Sequence, residues 1–376
     1  MQRVKQAWDK ATIVWLSGVR RAGKTTLTQF FEGALYLNCD LVRTKHRLSD
    51  PETFYESVTD HKIILDEIHQ LDDPSMLLKI ASDAYPHLKI LATGSSTLLT
   101  TKKFKDTLTG RKRNLLLLPI LPEELRSFGI RDLQKRLLHG GLPQALLAEP
   151  KDNEFYSEWI DSFFARDIQE LFNIQKRREF ILTLELLLRL NGRLLEIDTI
   201  SKQIGISRPT VYNYINALEL THTVYILRPF HGGHSREIIK QPRIYAFDTG
   251  FVSYCRGWDS LHPRDCGKLL ENLVLDVLLS RLDKKSIYFW RDKQKREIDF
   301  IYSKNNSICD AIEVKWNANA FEVEHLTFFR SLYPRGKNIV VTSQATPVYT
   351  QKLDNINVIF CPISEFGKFI ETEISK

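Results

Sequence analysis

One stretch limits what this chain can fold into more than any other: GVRRAGKT at residues 18–25, directly after the apolar run ATIVWL and a serine. It fits G-x-x-x-x-G-K-[ST], with Gly18, Gly23, Lys24 and Thr25 at the four fixed places. Glycines there permit a tight turn in which successive backbone N–H groups face inward. Inward N–H groups followed by an ammonium and a hydroxyl are what a triphosphate and its magnesium ion require. The loop as a whole (Gly18, Arg20, Arg21, Ala22, Gly23, Lys24, Thr25 and Thr26) is therefore expected to wrap ATP. Lys24 reaches the β- and γ-phosphates and Thr25 holds Mg2+. A strand running in and a helix running out, at 11–16 and 26–31, complete the expected unit, and the helix N-terminus adds to the anion site.

A nucleotide site also needs carboxylates at a neighbouring strand end. HKIILDEI, residues 61–68, supplies them: an apolar strand ending in Asp66 and Glu67, where parallel α/β sheets place their chemistry. Asp66 reads as holding magnesium through water, and Glu67 as polarising the attacking water. A third strand, 88–92, ends in Thr-Gly-Ser-Ser, and Ser95 is the candidate for sensing the γ-phosphate. Basic residues crowd 102–113 (KKFKDTLTGRKR). Such a loop is commonly just solvated; in an oligomeric ATPase Arg111 is the candidate finger for the neighbouring subunit's γ-phosphate. Arg166, within FFARDIQELF, either faces phosphate or pairs with its neighbour at the surface.

Strand and helix alternate through residues 1–122, which argues a doubly wound parallel sheet. Residues 123–180 turn helical and charged, as a small lid would. Across 181–247, Ile197, Ile200 and Ile204 share one helical face, Gly205 turns the chain, and Ser207 caps a second helix with Val211, Ile215 and Leu218 inward. With strands near 223–228 and 243–247 this reads as a winged helix-turn-helix. Its outward Arg208, Thr210, Tyr212 and Asn213 suit phosphate or base edges, and equally a subunit contact. In the last segment, 248–376, Glu271 lies on the apolar stripe of a helix and so needs a partner. Alternation in the following antiparallel strands sets Asp299 on one face and Glu313 with Lys315 together on another. Converging carboxylates beside a lysine make a divalent metal site able to activate water against a phosphodiester, or else a plain surface Glu-x-Lys pair. The turn between these strands carries Arg291, Lys293 and Lys295, which suit phosphate contact.

Length and composition narrow the class. The chain has 376 residues, enough for several domains, and 43% hydrophobic with 26% charged residues is the composition of a soluble globular protein. No apolar run approaches the roughly 20 residues that span a bilayer, so no membrane is expected. The opening MQRVKQAWDK lacks the apolar core of a signal peptide. Five cysteines without a C-x-x-C pair indicate neither zinc nor a disulfide framework, which fits a cytoplasmic protein. A formal charge of +7 permits nucleic acid as a partner without requiring it.

Taken together, GVRRAGKTTL, YLNCD, IILDEIH, LATGSS, LTGRKR, HGGLP, the ARD at 165–167, AFDTGF, GKLLEN, YFWRDKQKREIDFIY and AIEVKW make a set. On it, the chain resembles the bacterial and archaeal P-loop ATPases of the AAA superfamily that carry a C-terminal DUF4143 region, over nearly its whole length. The resemblance implies an α/β protein: a P-loop NTPase core, a helical lid, a winged helix, and a C-terminal domain similar to PD-(D/E)xK restriction-endonuclease-like folds. Lys24, Thr25, Asp66 and Glu67 match its ATP site; Glu271, Asp299, Glu313 and Lys315 match its nuclease pattern. Ile298 stands where a proline usually precedes the nuclease aspartate. The expected activity is a magnesium-dependent ATPase, a homo-oligomer, that couples ATP to DNA binding or processing, with or without cleavage. The alternative is a nucleotide-switched regulator that binds DNA or protein through a non-cutting domain.

Overall fold

The computed structural model describes residues 1–58, 61–94, 106–232, 241–304, 308–344 and 346–374. Two compact units emerge. The first is Met1–Leu118 with Ala165–Asn173 and Leu220–His222; the second is Pro119–Phe164 with Ile174–Glu219 and Thr223–Lys376.

The first unit is built on five strands: β1 (Ile13–Ser17), β2 (Leu35–Asn38), β3 (Lys62–Asp66), β4 (Lys89–Thr93) and β5 (Lys112–Leu116). They run parallel in the order β2-β3-β4-β1-β5. Successive side chains of a strand face opposite ways. In β1 that sends Ile13 and Trp15 into one core with Leu65, Leu78 and Ile90, and Val14 and Leu16 into another with Trp8, Ile64 and Leu91. Both faces of the sheet are thus covered, as an all-parallel sheet requires, which explains why its strands read as unbroken apolar runs. The register Leu16↔Thr93 and Asn38↔Asp66 brings the ends of β1, β2, β3 and β4 to one edge.

The second unit holds two sheets. A three-stranded antiparallel one comprises β6 (Arg193–Leu194), β7 (Val224–Leu227) and β8 (Arg243–Ala246) in the order β6-β8-β7. Between β6 and β7 come the helices Ile197–Ile204 and Arg208–Leu220, separated at Gly205, whose φ of +76° is the left-handed turn. Ser207 caps the second helix by accepting from the Thr210 N–H at 3.3 Å.

Six strands make the other sheet: β9 (Ile287–Arg291), β10 (Glu297–Ser303), β11 (Cys309–Lys315), β12 (Asn338–Thr342), β13 (Tyr349–Leu353) and β14 (Ile356–Pro362), in the order β13-β14-β12-β11-β10-β9. The antiparallel run β9-β10-β11 is the meander the alternation suggested, whereas β11, β12 and β14 are parallel neighbours. The helix Pro263–Arg281 packs on β11, and the helix Glu324–Leu332 on β10. A register shift between Ile298 and Ile301 breaks the β9-β10 ladder beside Asp299. Such bulges re-aim a side chain.

Two motifs far apart in sequence meet in this unit. Asp248, fully buried, accepts from the Gly141 N–H at 2.6 Å and the Gly250 N–H at 2.8 Å. A Cβ on Gly140, at φ +79°, would fall 1.9 Å from an Asp248 carboxylate oxygen. HGGLP and AFDTGF are therefore two halves of one backbone–carboxylate joint.

Candidate nucleotide site and C-terminal carboxylate cluster

The loop after β1 has the backbone its glycines allow. Gly18 sits at φ +153°, and a Cβ there would meet the Leu117 carbonyl oxygen at 2.4 Å. Gly23, at φ +94°, opens the helix Lys24–Gln29. Arg21 also holds a positive φ of 60°, unusual for a residue with a Cβ. The Lys24 ammonium turns into the loop, donating to the Gly18 carbonyl at 2.9 Å and the Val19 carbonyl at 3.0 Å. Burial lowers its pKa, opposed by the charges of Glu67, Asp167 and Asp66. Thr25 is exposed on the first turn of the helix.

At the end of β3, Asp66 is only 2% exposed and both its oxygens accept hydrogen bonds: Oδ2 from the Tyr36 hydroxyl at 2.8 Å, and Oδ1 from the Thr93 hydroxyl. Burial, followed by that bond to Asp66, raises the Tyr36 pKa. The next residue, Glu67, takes φ +56°, its N–H bonded to Thr93 Oγ1 at 3.0 Å and its carboxylate 3.2 Å from His69 Nδ1. Positive-φ residues that carry side chains gather where surrounding structure over-determines them, and here two face one sheet edge.

The structure gives Asp167, the last residue of the ARD run, a distant partner in the loop after β1. Arg20 Nε donates to Asp167 Oδ2 at 2.9 Å, both side chains about a quarter exposed. Asp167 stands on the π-helical turn Phe164–Gln169. Its neighbour Arg166, the residue weighed from sequence, is exposed. Nothing in the spacing points to this pair, since its members are 147 residues apart. Arg111 grips Asp83 through two bonds, 2.6 and 3.1 Å, and also donates to the Thr107 carbonyl at 3.1 Å. Ser95 lies outside the described residues. Arg208 is exposed and paired with Asp198; Tyr212 and Asn213 are exposed, and Thr210 is half-buried beside Ser207.

In the second unit the helix Pro263–Arg281, β10 and β11 bring Glu271, Asp299, Glu313 and Lys315 together. The three carboxylates are 3%, 6% and 5% exposed, so each must be neutralised within the protein. Lys268 donates to both oxygens of Glu271, at 2.8 and 2.9 Å. Lys315 donates to Glu313 at 3.0 Å, and Asp299 accepts the Val314 N–H at 3.0 Å. Burial and the Asp299 charge push Glu271 and Glu313 up to about 8. Burial would raise Asp299 too, but the hydrogen bond with Glu271 and the cations of Lys268, Lys315 and Arg243 hold it low. Arg243, nearly fully buried, bonds Glu297 at 2.6 Å and lies 3.7 Å from Asp299.

The expected metal set of Glu271, Asp299 and Glu313 is thus neutralised by Lys268 and Lys315. Among the described residues, no group of three or more His, Cys, Asp and Glu side chains is arranged to hold a metal ion. The basic turn after β9 is organised by buried Asp292, which accepts from the Gln294 and Arg296 N–H groups and pairs with the Arg296 guanidinium, leaving Lys293 and Lys295 exposed.

Comparison with known proteins divides the chain into three. The AAA domain family matches residues 10–126. Two domains of unknown function follow, DUF8612 at 130–262 and DUF4143 at 266–366. An uncharacterized protein of Mycobacterium tuberculosis is 25% identical over 311 residues, 79% of this chain and 69% of that protein. One of Methanocaldococcus jannaschii is 23% identical over 400 residues, 97% of this chain and 84% of that protein. Among solved structures, a Signal Transduction ATPase with Numerous Domains from Pyrococcus horikoshii matches with TM-score 0.29 and 14% identity over 74% of this chain, which spans 45% of that one. The DNA clamp loader delta protein of Bacillus subtilis matches with TM-score 0.26 and 10% identity, over 58% of this chain and 87% of that one. No helix among the described residues is long and apolar enough to cross a membrane.

Proposed function

We propose that this chain, an AAA-type P-loop ATPase with a C-terminal DUF4143 domain, binds ATP with magnesium, hydrolyses it, and uses the cycle to control its grip on DNA. One observation carries the reading of the ATP site: a glycine-turned loop after β1 with Lys24 folded inside it, on the sheet edge that also presents Asp66 and Glu67. Thr25 and Asp66 are hard oxygen donors of the kind magnesium takes, Asp66 acting through water because Tyr36 and Thr93 already occupy its oxygens. Magnesium bound there neutralises charge developing on the phosphates. The protein's own groups do the rest. Lys24 exchanges its two carbonyl acceptors for phosphate oxygens, and the loop N–H groups orient the chain of phosphates. Glu67, anchored through its N–H on Thr93, orients the attacking water. Arg20, Arg21, Ala22, Gly23 and Thr26 complete the cradle. Arg111 serves a neighbouring subunit only after leaving Asp83.

A four-part organisation suits this work: core to residue 122, lid to 180, winged helix to 247, nuclease-like domain beyond. The helices around Gly205 and the β7-β8 pair support the winged helix, with Arg208, Thr210, Tyr212 and Asn213 outward. For the last domain, the lysine-neutralised carboxylates favour the second reading, a non-cutting platform, and no cleavage step is assigned to them. Five buried, unbridged cysteines suit a reducing cytoplasm. The test is ATP turnover in magnesium, with and without duplex, single-stranded and branched DNA. Lys24→Ala is expected to reduce turnover by about 100-fold or more, since it removes the phosphate's main cation. Turnover intact in that variant overturns the ATP site. Turnover indifferent to every DNA, with no binding at low salt, replaces DNA by a protein partner.

A further inference from the structure

Arginines of the second unit gather on a surface that neither the ATP site nor the carboxylate cluster uses. Arg189, Arg193 and Arg256 line one open trough together with Trp258, and no carboxylate lines it. Arg189 donates to the Cys255 carbonyl at 2.7 Å and Arg256 to the Arg189 carbonyl, while the Arg256 guanidinium lies 5.0 Å over the Trp258 ring. Carbonyls and a ring hold Arg189 and Arg256 in place without cancelling their charge. Among the described residues, none of the three forms an ion pair. The crowding is felt: burial lowers the Arg256 pKa and the charges of Arg193 and Arg189 lower it further, against the pull of Asp265.

Arg193 also lines an adjoining cleft of about 440 Å³, with Arg243, Lys268 and Arg291 against the two carboxylates Glu196 and Glu297. That volume is within the range of small-ligand pockets. Trough and cleft share Leu190 and Arg193, so the positive surface is continuous. Three guanidinium groups without a carboxylate partner beside an aromatic ring, continuing into a cleft where Arg243 and Arg291 share the carboxylate of Glu297, suit a phosphate backbone site.

We propose that this groove is a phosphate-binding track that seats successive backbone phosphates of a nucleic-acid strand, first among Arg189, Arg193 and Arg256, then among Arg193, Lys268 and Arg291. It rests on the nucleic-acid part of the proposed function. It adds a contact beyond the helix Arg208–Leu220, whose Arg208 is paired with Asp198. Lys268 gives the track a consequence, because its ammonium also holds Glu271: a phosphate in the cleft competes with that carboxylate for the same cation.

The experiment is fluorescence anisotropy of a labelled oligothymidylate against the full chain across a salt series, for wild type, Arg193→Glu, Arg193→Lys and Lys352→Ala. Arg193 is exposed, so the substitutions do not disturb the core, and melting curves check this. With a slope of about −0.7 per phosphate contact on a single strand, losing one contact near 0.1 M salt costs roughly fivefold in affinity and lowers the salt slope by about 0.7. Arg193→Glu is expected to lose at least that, Arg193→Lys to recover part of it, and Lys352→Ala, an exposed cation on another strand, to bind like wild type. Equal binding by Arg193→Glu and wild type overturns the track while leaving nucleic-acid binding standing. If wild type binds no oligonucleotide at low salt, the nucleic-acid reading fails instead, and ³¹P line widths of inorganic phosphate decide the track separately, in a Lys24→Ala background that silences the P-loop. Broadening abolished by Arg193→Glu assigns the track to free phosphate compounds; broadening indifferent to that change, or no broadening at all, overturns it.

Discussion

Asp167 changes how the loop around Lys24 is understood. It holds Arg20 and adds negative charge beside the place a triphosphate would occupy, so it both steadies the loop and opposes the anion the loop is built for. Which effect dominates is decided by exposure. With both side chains about a quarter exposed, solvent screens the pair, and the bond itself contributes no more than about 1 kcal/mol to stability. Anion affinity responds more, because removing a carboxylate and releasing an arginine both favour a highly charged ligand. Asp167→Asn should therefore bind ATP and ADP a few-fold more tightly with little change in melting temperature, as read by titration of a fluorescent nucleotide. Weaker binding would mean that Asp167 positions Arg20 for phosphate rather than withholding it.

The element scale is where motif and mechanism part company. HGGLP is one of the motifs that carry the family resemblance, yet its glycines serve packing: a Cβ on Gly140 would meet the Asp248 carboxylate, and one on Gly141 the Arg136 guanidinium. Asp248→Ala orphans the Gly141 and Gly250 N–H groups in a dry interior and should cost about 3 kcal/mol, measured by urea unfolding. A loss below about 1 kcal/mol would mean that water or another acceptor replaces the carboxylate. The helix–strand–strand cluster makes a pH prediction. Glu271 and Glu313 titrate near 8 in the folded chain against 4.5 for the free side chain, so the stability their protonated forms give is complete below about 4.5 and is lost as pH rises through 8. Asp299 shifts the other way, giving stability above its usual 3.8 that is lost only as pH falls toward about 2, outside that window. Thermal stability of the wild type should therefore fall between about pH 4.5 and 8, and Glu271→Gln, which keeps the shape and one of the two acceptors of Lys268, should flatten the fall. An unaltered profile in that variant would remove Glu271 from the titration. Strand-end carboxylates and the P-loop were legible in sequence because strand, turn and helix lie within about 15 residues. Asp167, Asp248 and Arg243 were not, because each meets its partner across more than 50 residues, where spacing carries no geometry. Strand order was likewise silent: alternation announces a parallel sheet, but not that β1 lies between β4 and β5.

At the scale of the whole molecule, the chain does not visit its two units once each. It leaves the first after Leu118, returns for Ala165–Asn173 and again for Leu220–His222. The first return carries Asp167, partner of the P-loop arginine; the second follows directly on the helix Arg208–Leu220. Both ends of each return are covalently continuous with the second unit, so a rearrangement at Arg20 has a path along the backbone to the elements proposed to hold DNA. Coupling of this kind is a free energy and is reciprocal. If a non-hydrolysable ATP analogue changes oligonucleotide affinity by some factor, saturating oligonucleotide must change the affinity for that analogue by the same factor, and coupling of this class amounts to about 5- to 150-fold. Two anisotropy titrations measure both sides of that equality. Asp167→Asn should bring both factors toward one together, whereas a variant confined to the phosphate track, Arg193→Glu, should weaken DNA while leaving analogue affinity in the absence of DNA intact. Independent binding by the wild type, with neither ligand shifting the other, would reduce the chain to an ATPase and a nucleic-acid site that merely share a polypeptide, and would return the search for what the ATPase drives to a protein partner.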